Sequence, residues 1–354
     1  MTSDVLSAPQ DERAYEGTDP TRDSLLRRSA RWETGLVVVL IGIVIFGSTQ
    51  GVSLLTGSSI FYIGINIGFI ALMAMPMTFI IMTGEIDLSV ASMLGLSGAT
   101  MGFLWHHGWA IWPAMLGALL VGVIGGALNG VLISRLGLPS IAVTIGTLTL
   151  FRGLAQVLLG SLTVPGVGDQ QFPAALTNIG TESIPGMSIS YTTGIFIVLA
   201  IGCGVVLHYT PLGRSLYAIG LQPEAARFSG IRVSRISFGL YVFSGLISAL
   251  AGILLTLQNA SVSYSAGIGL ELNVVAIVLF GGVSIFGGRG TVIGVVIAVA
   301  IFGSLQVILT QMQVQPEKQQ VVTGLLLLIS VVVPNGAEIY RRARARVVRT
   351  RQTA

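Results

Sequence analysis

Residues 82–95 read MTGEIDLSVASMLG and set two carboxylates, Glu85 and Asp87, between one strongly apolar run and the next. Ionised side chains are costly at membrane depth, so their place in the chain decides how the flanking runs are read. Only 10% of the 354 residues are charged and 53% are hydrophobic, whereas an ordinary soluble domain is about 25% charged. Of the charged residues, 12 lie before Gly35 and 7 after Asn335, leaving 15 for the 301 residues between. That middle reads as mostly bilayer. Glycine, at 46 residues, is roughly twice its usual share of about 7%, as expected where helices approach closely through small residues.

Apolar runs long enough to cross about 30 Å of hydrocarbon, around 20 residues each, fall at 35–55, 60–82, 87–105, 109–134, 139–160, 190–209, 236–257, 271–288, 290–312 and 319–335. The expected fold is an all-α integral membrane protein of about ten transmembrane helices. Residues 1–34 mix seven acidic residues with five arginines and lack apolar periodicity, which predicts a disordered cytoplasmic tail. The same stretch is too long and too acidic for a secretory signal. Residues 35–335 form the membrane domain, and residues 336–354 form a basic cytoplasmic tail. With the N-terminus inside, the cytoplasmic segments collect 17 of the 19 basic residues, the asymmetry that sets orientation. An even number of spans then keeps both termini inside. The expected location is the bacterial inner membrane.

Several chemistries are excluded. Lys318 is the sole lysine and lies in QPEKQQ, not in the glycine-rich GxxxxGK[ST] loop that cradles nucleotide phosphates. The chain is therefore not expected to be an enzyme, and any ATP-driven step needs another polypeptide to bind ATP and Mg. Cys203 is the only cysteine, so no disulfide closes within the chain and no metal site is expected. His106 and His107 in WHHGW sit beside Trp105 and Trp109 and read as an interfacial aromatic belt. No cofactor is expected in this chain, and no nucleic-acid partner.

The 210–235 loop is the most informative cytoplasmic segment. Pro223 suits a first helical turn, Glu224 suits the positive end of the helix dipole, and Gly230 suits a helix end about two turns on. Two readings stand: an interfacial loop whose arginines meet anionic membrane lipid, or a rigid lever seated in a motor subunit. Here the sequence resembles a known family. EAARFSG, residues 224–230, is similar to the EAA-three-residues-G loop of ABC importer permeases. The wider GRSLYAIGLQPEAARFSGIRV, TGEIDLSVAS, TLTLFRGLAQVLLG and GIGLELNVVAIVLFGGVSIFGGRGTVIG resemble permeases of the ribose, xylose, rhamnose and autoinducer-2 group of sugar importers, in the same order and spacing from about residue 35 to 335. Glu85 and Ala91 depart from the family's usual GGIDLSVGS.

The resemblance implies an ABC permease that moves a small sugar by alternating access, with a second permease copy or sister permease, ATP-binding subunits docked on the EAA-type loop, and an external sugar-binding protein. Gly220, Glu224, Ala225, Ala226, Arg227 and Gly230 are then the coupling residues. The alternatives are an ABC permease for branched-chain amino acids, and an ion-coupled secondary transporter. The latter would want a carboxylate near the bilayer centre, and the acidic residues map to boundaries and loops.

On this topology Asp87 begins the third span, either as an N-cap accepting backbone N–H bonds or as a contact on the substrate path together with Ser89. EIDLSVASMLGLSG and LELNVVAIVLFGG partly echo each other from opposite faces, the pattern of an inverted repeat relating spans 2–5 to spans 7–10. Glu271 and Asn273 would then mirror Asp87 and Ser89 at an outer gate; otherwise they cap a helix. Arg152, the one basic residue within a span, either snorkels outward or faces the cavity near Gln156. Gly122, Gly126 and Gly130, four apart, predict a close helix contact. Pro76 should kink the second span, and residues 161–190 form the one long outer loop, read as a docking surface for the binding protein.

Overall fold

The computed structural model describes residues 20–160, 164–165, 172–326, 328–329 and 332, with side chains in the first helix described from Trp32. The helices are α1 (Pro20–Thr49), α2 (Gly57–Met82), α3 (Val90–His106), α4 (Ile111–Ser134), α5 (Ser140–Leu159), α6 (Ala174–Thr181), α7 (Tyr191–Tyr209), α8 (Pro211–Leu221), α9 (Pro223–Phe228), α10 (Val233–Asn259), α11 (Leu270–Phe280) and α12 (Val292–Gln311). Residues 316–326 are also helical. Two-residue strands β1 (Val164–Pro165) and β2 (Ser261–Val262) pair antiparallel.

Among the described residues, seven helices are long and apolar enough to cross a membrane: the part of α1 from Trp32, and α2, α4, α5, α7, α10 and α12. Their starts follow local chemistry. Thr56, Ser190, Thr210 and Thr291 accept the exposed N–H groups of Ser59, Thr193, Gly213 and Gly294, which satisfies donors a helix cannot use internally. Pro211 and Pro223 occupy first turns, where the missing N–H costs nothing.

Two helices form the centre. About 83% of the apolar window of α2 and 78% of that of α10 are buried, against 28% for α5 and for α7. α2 packs on α11 and α12, while α10 packs on α3 and α4. That reciprocity is the arrangement two inverted halves would give. The outer helices carry large apolar side chains on the surface, among them Val38, Trp112, Ile124, Val157 and Val198. Hydrocarbon, not water, is the solvent that suits such faces.

The structure departs from the sequence reading at several places. Helix α1 starts at Pro20, ahead of the expected start of the membrane domain at residue 35; residues 1–19 lie outside the described residues. The third span begins at Val90 rather than residue 87. The eighth span, expected over 271–288, stops at Phe280 after 11 residues. Beyond it Gly282, Gly287, Gly288 and Gly290 adopt positive φ, which breaks a helix despite the apolar residues among them. The long outer loop contains α6, which packs against α10. The last expected span is helical over 316–326, and its end and the basic tail lie outside the described residues.

Candidate functional site

The GEID segment folds as a connector between α2 and α3 and is held by polar groups from α10 and α5, while α4 reaches the following Ser89. Asp87 Oδ1 accepts the Ser89 N–H at 3.0 Å and the Ser89 hydroxyl at 2.6 Å. Its Oδ2 accepts the Ser244 hydroxyl of α10 at 2.8 Å. Asn129 of α4 donates from Nδ2 to Ser89 Oγ at 2.8 Å. Glu85 Oε2 accepts the Ser237 hydroxyl of α10 at 3.0 Å. On the α5 side, the Ile86 N–H donates to Ser140 Oγ at 3.3 Å, and the Thr144 hydroxyl donates to Ile86 O at 3.3 Å.

Asp87 and Ser89 are each 2% exposed. They sit inside the α3–α4–α10 packing and line no open surface. The N-cap position belongs to Ser89, which makes no side-chain cap, so Asp87 closes a short turn two residues earlier. The partners Ser237 and Ser244 escaped the sequence reading. Their signal was present: Ser237, Tyr241, Ser244 and Ser248 repeat at four, three and four residues, one face of a helix.

Alongside the first half of α3, next to Gly95, Arg152 of α5 is half-buried and donates from Nη1 to Tyr264 O at 2.8 Å and Ala266 O at 2.6 Å. Its guanidinium therefore pins the chain that leads into α11. Gln156, one turn on, is exposed and is not brought to these carbonyls. Glu271 and Asn273 are partly buried in the first turns of α11, whose N-cap is Gly269, so neither is a capping residue. Beneath the pinned chain lies a cavity of about 120 Å³, lined by Gly95, Gly98, Thr256, Asn259, Ser263 and Ser265 among others. Replacing Arg152 by alanine should free residues 264–266. Amide exchange there is expected to quicken at least tenfold while exchange in the core of α10 is unchanged.

The expected lever is built from two helices. α8 precedes α9, and the sequence reading placed only the second. Gly213 and Leu216 are among the buried residues of α8; Ile219, Ala226 and Val233 form a small core beneath α9. Gly220 lies so close to Met82 O and the Gly288 amide that a side-chain carbon there would overlap both. The Gly288 N–H donates to Met82 O at 2.9 Å, and the Tyr217 hydroxyl donates to Gly290 O at 2.8 Å. Burial, and secondarily the Glu33 carboxylate, push the Tyr217 phenol up to about 12. It therefore stays a hydrogen-bond donor across physiological pH. α8 is thus clamped to the end of α2 and to the turn between α11 and α12. Glu224, Ala225, Arg227 and Gly230 are exposed while Ala226 is buried, and Gly230 has φ +82°.

The same face carries the start of the membrane part of α1. Trp32 Nε1 donates to Phe280 O at 3.1 Å, and the Thr291 hydroxyl donates to Glu33 Oε1. Elsewhere Gly122, Gly126 and Gly130 of α4 abut Gly245, Tyr241 and Phe238 of α10, a contact within one chain. Among the described residues no group of three or more His, Cys, Asp or Glu side chains could hold a metal ion.

Repeated helices long and apolar enough to cross a membrane make this a multi-pass membrane protein. The comparisons agree. Residues 59–331 match the family described as "Branched-chain amino acid transport system / permease component", and the chain belongs to that family. It is 34% identical over 257 residues to the "Autoinducer 2 import system permease protein LsrC" of Yersinia pseudotuberculosis serotype O:1b (strain IP 31758), covering 73% of this chain and 71% of the relative. It is 32% identical over 309 residues to the "Autoinducer 2 import system permease protein LsrD" of Photorhabdus laumondii subsp. laumondii, covering 85% and 90%. No solved structure matches it. Permease subunits of this family are not themselves enzymes.

Proposed function

We propose that this chain carries a small sugar-type, polyhydroxylated substrate inward across the bacterial inner membrane by alternating access. A separate subunit, which binds ATP and Mg, drives it by gripping α9. A second permease copy or sister permease completes the pathway, and an external sugar-binding protein delivers the cargo. The observation that carries this reading is the seat of α8: a push on α9 reaches the end of α2 and the α11–α12 turn through the backbone contacts of Gly220 and Gly288. The relatives' printed function, autoinducer 2 import, supports the sugar-type cargo. Both termini are read as cytoplasmic; for the N-terminal one, Trp32 and Glu33 lie on the face that carries α8.

The motor must prefer one permease conformation over the other, or no population shift follows. Gly230 lets the chain turn out of α9 at a φ that other residues enter only at a cost of about 1 kcal/mol or more. Gly230→Asp should therefore leave insertion intact but uncouple hydrolysis from uptake, cutting ATP-driven uptake at least tenfold in vesicles. Normal uptake by that variant would remove the lever.

The family's description names a second cargo, a branched-chain amino acid. A zwitterion needs fixed partners for its carboxylate and amine. Asp87 and Arg152 are already engaged with hydroxyls and backbone carbonyls, which favours the uncharged cargo. Competition of uptake by pentoses against leucine separates the two.

A further inference from the structure

We propose that the turn at residues 284–289 is a second docking point for the ATP-hydrolysing subunit, beside α9. The proposal rests on the coupling reading above and adds a contact to it. The turn is closed by its own hydrogen bonds: the Ser284 N–H donates to Arg289 O at 3.0 Å, and the Gly287 N–H donates to Ser284 O at 2.9 Å. Ser284 Oγ also accepts the Phe286 N–H at 3.3 Å. Gly287 and Gly288 are buried against the backbone of Gly220 and the end of α2. Holding those two glycines inward throws their neighbours outward. Phe286 is 77% exposed, and Arg289 is exposed as well.

The patch continues into the lever. Leu221, 63% exposed, reaches the position where a side chain on Gly288 would stand. Two residues later α9 begins, and it ends on Phe228, which is 93% exposed. Apolar anchors therefore run from the turn to α9, with Glu224, Arg227 and Arg289 exposed among them. Aromatic anchors with arginine around them are the composition of protein interfaces. A turn fixed before binding also loses little freedom on docking. Since the turn, α8 and the end of α2 touch through backbone, a subunit seated on both Phe286 and Phe228 would move them as one body. The competing occupant is lipid headgroup, which an exposed Phe and Arg also suit.

The test uses the full chain in inverted membrane vesicles, with and without an ABC ATP-binding subunit, the one recovered with it by co-purification. Single cysteines are placed by Phe286→Cys or Ala225→Cys; native Cys203 is buried. A membrane-impermeant maleimide reads their exposure. Labelling at both positions should slow at least tenfold when the ATP-binding subunit is present. Slowing at 225 but not at 286 overturns the second docking point and leaves the lever. Slow labelling at 286 with or without the subunit assigns the turn to lipid and also overturns it. No slowing at either position overturns both this proposal and the coupling reading. Independently, Phe286→Asp should lower ATP-driven uptake at least tenfold at an unchanged amount of inserted chain; normal uptake would overturn the docking role.

Discussion

A Gly126→Leu permease is expected to yield no stably folded protein after detergent extraction, whereas Gly146→Leu should extract and melt like the wild type. A side-chain carbon on Gly126 would overlap Tyr241 O and stand 3.0 Å from the Val242 Cα, and Gly245 of α10 meets Gly122 and Gly126 in the same way from the other side. Neither neighbour is the loose end of a side chain that could swing aside. Overpacking typically costs about 1–3 kcal/mol when side chains can adjust; here the backbones of α4 and α10 must separate. Their separation would also open the contacts of Asn129 with Ser89 and of Ser244 with Asp87. Gly146 has nothing within 4 Å of its added carbon, so an added side chain there meets only the surroundings of the fold. The measurement is the melting temperature of the detergent-solubilised chain followed by size exclusion. A Gly126→Leu protein that melts within a few degrees of wild type would show that α4 and α10 are not locked at this point.

How much of this was legible beforehand differs by element, and the reason is physical. Hydropathy reports the solvent a segment prefers, so the ends of α2, α4, α5, α7 and α12 fall within about three residues of the expected spans. It does not report backbone dihedrals. FGGVSIFGG, residues 280–288, reads as the continuation of a span, yet its glycines turn away to meet Gly220 and Met82. Those partners lie 68 and 206 residues before Gly288 in sequence and leave no local trace. The glycine spacing of α4 predicted a close contact but could not say with which helix.

Charged residues were harder still, because their meaning lies in their partners. Arg152 was recognised as an anomaly within a span, and a cavity-facing role near Gln156 was one reading. The structure gives its Nη1 to two carbonyls of the chain before α11, so it braces that loop. A backbone carbonyl carries no sequence signal, since every residue has one. Glu271 and Asn273 were read as mirrors of Asp87 and Ser89. In the structure the first pair stays partly exposed while the second is buried, so the two pairs do not share an environment.

Asp87→Ala and Asp87→Asn should separate the two roles this carboxylate was given. The alanine variant leaves the Ser89 N–H and hydroxyl and the Ser244 hydroxyl without their acceptor in a fully buried site. Each unmade hydrogen bond of this kind costs about 1–3 kcal/mol, and the loss falls where α3, α4 and α10 meet. A chain that depends on this junction should lose most of its folded population. The asparagine variant keeps a carbonyl oxygen for Ser89 and places an amide against Ser244, whose hydroxyl rotates to accept instead of donate. Its melting temperature and uptake should both stay near wild type, uptake within about threefold. The opposite pattern, normal melting for Asp87→Asn with uptake lost, would mean that the charge itself serves the moving substrate. Asp87 would then have to leave its hydroxyl partners during the cycle, and the packed junction described here would be only one of its states.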